Sequence, residues 1–241
     1  MLKTLLWATS LIALAMVTLP GLLYQFELIN LGTAFKTLKS SHFVVYASSF
    51  FIAIALFIAI GKKQKHLLVS ALVCLCISLV AFAGPIVMFN NAKKVPAIHD
   101  ITTDTVNPPE FVAIKPLRKN APNPAEYTGA ETAAKQLKAY PDLKPLYFKQ
   151  DKKTVFNAAV AAINAQGIKL VDSDLASGRI EGADKTLWFG FKDDVVLRIS
   201  EQSGQTKVDI RSKSRLGKSD LGKNAERIMQ IGERIKKQLK E

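Results

Sequence analysis

His99 stands next to Asp100 and five positions before Asp104. A histidine within reach of carboxylates can act as a general base or as a metal ligand. One histidine with no second ligand at metal-binding spacing carries little metal chemistry, and Asp residues among prolines are commonly turn formers. A hydrolytic reading needs the fold to bring Asp104 or the distant Asp194 against His99. Further along, Arg211, Lys213 and Arg215 alternate, so on a strand they share one face. Arginine forks fit carboxylate or phosphate, and a helix starting at Ser219-Asp220 would add backbone N–H donors, which together make an anion site. The competing reading pairs these cations with Asp193, Asp194 and Asp209 to fix the last turn. It is preferred, because charge networks are common and Asp220 already fills the helix start as a cap. Ser212 and Ser214 lack the Gly-x-Ser-x-Gly elbow of a hydrolase nucleophile, and Gly217 to Gly222 lacks the phosphate-loop pattern. Neither a metal site nor a cofactor is expected.

All these residues lie in a polar stretch, 95–241, that follows a very different one. Thr4 to Phe26, Phe43 to Gly61 and Leu67 to Phe89 are apolar runs without acidic or basic side chains, apart from terminal positions. Each is about 20 residues, the length a helix needs to cross a ~30 Å hydrocarbon core. Residues 1–94 therefore read as a membrane anchor of three transmembrane helices, and the first of them as a retained helix, not a cleaved signal. The anchor carries 8 Lys/Arg against one acid, and the polar part 25 against 19. Basic residues beside spans reflect topology and contact with anionic headgroups; no compact basic stripe with interleaved aromatics argues for nucleic acid. Cys74 and Cys76, the only cysteines, are two apart within the third span and cannot bridge to each other.

Within the polar part, Val95 to Glu126 is rich in proline and should run extended over the surface. A helix is predicted from Ala130 to Ala139. A second follows an Asp151 cap, with Phe156, Ala159, Val160 and Ile163 as its stripe and Gly167 as its stop. Then the period becomes two. Ile168 to Asp172 and Gly178 to Ala183 read as strands, and Leu187, Phe189 and Phe191 share a face, as do Val195, Leu197 and Ile199. A turn at Ser203-Gly204 pairs Leu197 with Ile210, Ile199 with Val208 and Arg198 with Asp209. A loop at Lys192 to Asp194 would pair Phe191 with Val195. A terminal helix capped by Ser219 or Asp220 buries Leu221, Ala225, Ile228, Gly232, Ile235 and Leu239. The fold class is α+β, an antiparallel sheet with helices packed on one face in a helix-grip-like arrangement. Its other face, with Trp188, Val196, Arg198, Asp209 and Arg211, is too polar for core, and the Pro-rich segment is expected to cover Trp188.

Three strings then point to a family: Pro96-Ala-Ile-His-Asp-Ile-Thr-Thr-Asp104, Phe191-Lys-Asp-Asp-Val-Val-Leu-Arg198, and the run from Val208-Asp-Ile-Arg-Ser-Lys-Ser-Arg215 to Arg227. Together they resemble the bacterial and plastid family catalogued as domain of unknown function 1499, several of whose members carry N-terminal spans. The resemblance implies the domain boundary near Val95 and an interest in His99, Asp104, Asp194, Arg198, Arg211, Ser212, Arg215, Asp220 and Asn224. It implies no activity.

The resulting expectation is a multi-pass protein of the bacterial inner membrane. Its periplasmic domain would bind an anionic lipid, a glycan or an envelope protein without catalysis, through Arg198, Arg211, Ser212, Arg215 and Asn224. The alternative is a membrane-tethered hydrolase using His99 with Asp104 or Asp194. Three lysines in the short loop Gly61 to His66 place that loop in the cytoplasm, and an odd number of spans places the domain outside. A reporter active only outside the cytoplasm, fused after Glu241, should therefore be active; activity of a cytoplasm-only reporter there would reverse the orientation.

Overall fold

Without charge to interrupt it, the N-terminal apolar run forms one helix, α1 (Leu2–Gln25). In this computed structural model, which describes residues 1–240, two more follow, α2 (Leu31–Gly61) and α3 (Lys65–Ala92). α2 begins twelve residues before the expected Phe43, at an Asn30 cap whose side chain accepts from Thr33 N–H at 2.8 Å. An apolar run marks where a span lies, whereas the cap marks where the helix starts. All three helices are long and apolar enough to cross a membrane. Small residues line their mutual contacts: Ala13, Ala34, Ala55, Ala71 and Ala81 are buried. Such residues let helix backbones approach where lipid offers no hydrophobic drive. A polar seam joins the helices, with the Ser48 hydroxyl 2.7 Å from that of Ser10 and 2.8 Å from that of Ser78.

The chain divides into two units, and Leu187–Gly190 groups with the helical one. Trp188 Nε1 donates to the Thr18 carbonyl at 2.8 Å, and the Phe189 ring stacks on Phe35 at 5.5 Å. Trp188 is thus not on the sheet under the Pro-rich segment. It sits in a loop whose aromatic side chains belong with the helices.

The second unit holds β1 (Asp100–Thr102), α4 (Ala130–Ala139), β2 (Leu146–Phe148), α5 (Lys152–Ala165), β3 (Lys169–Asp174), β4 (Arg179–Lys185), β5 (Lys192–Gln202), β6 (Gln205–Ser214) and α6 (Lys223–Leu239). The sheet is antiparallel throughout, ordered β1-β6-β5-β4-β3, and β2 shares the outer edge of β6 with β1. The β5–β6 hairpin has the expected register, Leu197 opposite Ile210, Ile199 opposite Val208 and Arg198 opposite Asp209. Its turn works because Ser203 and Gly204 both take positive φ, 51° and 78°. α5 starts at the Asp151 cap, which accepts from Thr154 N–H at 3.0 Å.

The β4–β5 connection differs from expectation. Lys192, Asp193 and Asp194 are strand residues opposite Lys185, Asp184 and Ala183, and the loop lies before them. Charged residues read as a turn because their partners come from far away in the chain. The start of α6 also moves, to Lys223, so Leu221 stays 40 % exposed in the preceding turn. Asp220 still caps, accepting from Gly222 and Asn224 N–H at 2.9 and 2.8 Å.

One sheet face carries Ile180, Val195, Leu197, Ile199, Val208 and Ile210. It packs against Val155, Phe156, Ala159, Ala162 and Ile163 of α5 and Ala225, Ile228, Ile231 and Ile235 of α6. Burial of this apolar surface, at about 25 cal/mol per Å2, is the main drive for folding this layer. The opposite face is also closed, contrary to the reading of it as too polar for core. Residues 103–126 lie over it as a strap, with Phe111, Ile114 and Ala125 packed on Val196.

Candidate functional site

The strap has prolines and little regular structure, so its backbone groups need partners from elsewhere. The charged side chains of the sheet supply them. Glu181, fully buried, accepts from the N–H groups of Val112, Ala113 and Ile114 at 2.8, 3.1 and 2.9 Å. Arg211 donates to the carbonyls of Pro109 and Ala125, Arg215 to that of Leu117 and Arg198 to that of Asn107, at 2.8 to 3.1 Å. From the strap side, Arg118 reaches down to Asp194 at 2.6 Å and to the carbonyls of Lys213 and Ser214.

Each carboxylate under or beside the strap has a cationic nitrogen within 3.1 Å. Arg211 forks onto both oxygens of Asp100, at 2.9 and 3.0 Å, and Lys213 lies 3.1 Å from it. Asp194 receives Arg215 at 2.7 Å besides Arg118, Asp209 receives Arg198 at 2.7 Å, and Asp104 receives Lys207 at 3.1 Å. Glu181 receives Arg179 at 3.0 Å. The Arg211 guanidinium is also layered between the rings of Phe111 and Tyr127, at 4.9 and 5.4 Å, which adds a cation–π component. Burial raises the Asp100 carboxyl, but the Arg211 hydrogen bonds and charge outweigh it, with Lys213, and hold the group below its ordinary value. Burial beside Asp100 pushes the Tyr127 hydroxyl up to about 12.

On the helix-facing side a second network ties β6 to α6. Ser212 donates to Asn224 Oδ1 at 2.7 Å, and Asn224 Nδ2 donates to the Ser214 hydroxyl and the His99 carbonyl, both at 3.0 Å. Arg227 donates to the Ser212 hydroxyl at 3.0 Å and joins Asp184 and Asp193, both at 2.7 Å. The Ser212 hydroxyl is thereby engaged as donor and acceptor, which is the opposite of a free nucleophile.

The structure thus divides the sequence-derived candidates. Arg198, Arg211 and Arg215 lie on the strap side, Ser212 and Asn224 on the helix side, and all five hold other parts of the same unit. Asp104 and Asp194 belong to separate clusters on the strap side, each with two cations. His99 precedes β1, and its carbonyl also accepts from Ser214 N–H at 2.9 Å. Its imidazole is half-buried beside Lys218, Lys213, Asp100 and Asp220. No cluster of three metal-ligating side chains occurs among the described residues. Sequence reading missed Glu181, Arg118 and Arg227. Glu181 and Arg179 are two apart on β4, a spacing that places both on one face and could have signalled the pair, and Arg227 lies three residues after Asn224 beside the apolar stripe. Arg118 carried no comparable signal.

The sequence model of the family described as "Protein of unknown function (DUF1499)" matches residues 100–235, more than half of the chain. The protein belongs to this family. The matched segment opens at Asp100 and closes at Ile235 in α6, so the DUF1499 region contains both charge networks, the strap and the apolar layer. No curated protein matches the chain.

Arg211→Ala, which leaves the Asp100 carboxylate buried without its fork, should cost about 3–5 kcal/mol, whereas Lys135→Ala in the exposed pair with Glu131 should leave the melting temperature nearly unchanged. Thermal melting of the full chain in detergent checks this; equal, small losses would place the Arg211 pair outside the folding energetics. His99 gives a second test. Burial lowers its pKa from 6.5, with Lys213 reinforcing it; the Lys218 backbone and the charges of Asp100 and Asp220 oppose it. The unfolded state then binds the extra proton first, so stability contributed by neutral His99 is fully present above about 6.5 and is lost as pH falls below that value through the lower folded pKa. Melting temperature should drop over this window in the wild type, and His99→Asn should flatten the slope.

Proposed function

We propose that this protein is a membrane-anchored envelope protein of the bacterial inner membrane whose periplasmic domain binds a partner and transforms none. Lipid is the partner class best supported among lipid, glycan and protein. The observation that carries the choice is a cleft of about 320 Å3 between α6 and the segment 142–146, where five large apolar side chains meet four charged ones. Leu143, Leu146, Ile210, Ile228 and Met229 line it together with Thr103 and the charged Asp142, Lys144, Glu233 and Lys236, and Ile210 and Ile228 are buried. Apolar side chains flanked by charged ones suit an acyl chain carrying a polar head. The cleft lies beside Ile210, whose backbone N–H and carbonyl bond to Thr103 at 2.9 Å between β1 and β2, and a side chain at Gly232 would meet Leu146 Cδ1 at 3.0 Å.

The anion site at Arg198, Arg211 and Arg215 is a weaker reading, because those guanidiniums are occupied by Asp209, Asp100 and Asp194. A hydrolase built on His99 is weaker for the same reason: its proposed carboxylates, Asp104 and Asp194, face arginine and lysine.

A water-soluble diazirine analogue of decanoic acid, photolysed with the full protein in nanodiscs, should label peptides covering 142–146 and 226–236. Gly232→Leu should abolish that labelling while far-UV circular dichroism and a cooperative melt are retained. Labelling confined to the membrane helices, or unchanged by Gly232→Leu, would remove the cleft from the function.

A further inference from the structure

The first unit has its own cleft, of about 740 Å3, at the end of the bundle where α1 begins and α2 turns into α3. Each helix or turn around it contributes. Lys3 comes from α1, Lys63 from the turn, and Lys65 and His66 from the first turn of α3, all exposed. Beneath this cationic rim lie half-buried Leu2, Ile58 and Leu67. No carboxylate lines the cleft, and none of these lysines makes an ion pair among the described residues. The only acid in the first 94 residues, Glu27, lies in the α1–α2 turn, a helix length away from Lys3. The cationic end is therefore uncompensated, in contrast to the second unit, where every buried charge has an opposite partner.

We infer that this cleft is a site for an anionic phospholipid. The phosphodiester is received by Lys3, Lys63 and Lys65, and the upper acyl carbons lie on Leu2, Ile58 and Leu67. Charge complementarity selects the headgroup: a zwitterionic lipid brings its own cation to a rim that already has four basic side chains. The apolar floor selects a lipid over a free anion, because phosphate alone leaves it uncovered. Clefts of this type between membrane helices combine electrostatic attraction with apolar burial, so they bind more tightly than scattered interfacial lysines. The site also ties the three helices together at one end, since a single headgroup contacts α1, the turn and α3.

The test uses the purified full chain in neutral detergent micelles. Added short-chain phosphatidylglycerol should raise the melting temperature and be retained at about one molecule per protein in native mass spectrometry, whereas phosphatidylcholine of equal chain length should do neither. The triple variant Lys3→Gln, Lys63→Gln, Lys65→Gln should weaken phosphatidylglycerol binding by at least about tenfold, as loss of several headgroup contacts requires. Lys36→Gln with Lys39→Gln, which removes two exposed lysines elsewhere on α2, should leave binding unchanged. Equal binding of both lipids, an equal shift with inorganic phosphate, or equal losses in the two variants would each overturn the site.

Discussion

The fork of Arg211 on Asp100 is the interaction on which the matched domain depends. It closes the edge strand β1 against β6, and the same guanidinium holds the strap by two carbonyls and stacks between two rings. A guanidinium has five donors in a rigid plane, so one side chain can satisfy a carboxylate and two backbone segments at once. Lysine at this position would offer a single point charge and leave part of the strap unpartnered. Taking such charges out of water is costly, and the layer is stable only because each one meets an opposite charge and several dipoles.

This arrangement explains a domain with two differently built layers on one sheet. Towards α5 and α6 the layer is mostly apolar, with one polar network joining Ser212 to Asn224 and Arg227. Towards the strap the contacts are directional, so they specify one position for a segment that has no periodic pattern of its own. Glu181 shows the principle most simply, with three successive N–H groups converging on one carboxylate, a small anion nest turned inward. Residues that look like ligand-binding groups in the sequence are here the ligands of the protein's own backbone.

The helical unit solves a different problem with different means. Its interior mixes aliphatic residues such as Leu6, Leu38, Val45 and Ile52 with the five buried alanines named above and a seam of three serines, which let the helix backbones approach and bond across a bilayer. Charges there are confined to the terminal parts of the helices and the turns, with no ion pair among the described residues, where water and headgroups are available. The two units thus treat ionic side chains in opposite ways, neutralised inside one and displayed at the edge of the other.

Much of the architecture was legible from the amino-acid sequence by itself. The three spans, the α4 and α5 helices, the Asp151 cap, the Ser203-Gly204 turn and the β5–β6 register all follow from local periodicity, capping chemistry and length, which act within a few residues. The family followed from three short strings. What tertiary structure alone decided was the fate of the charges. Asp193 and Asp194 read as a loop because their cations, Arg227, Arg118 and Arg215, lie 21 to 76 residues away, and only folding brings them together. The same held for Trp188, whose alternation with Leu187 and Phe189 looked like a strand until the loop found its partners on the membrane helices. Local pattern determines which elements form; which polar group meets which is decided by the packing of distant segments, and in this protein that pairing separates a binding surface from a buried joint.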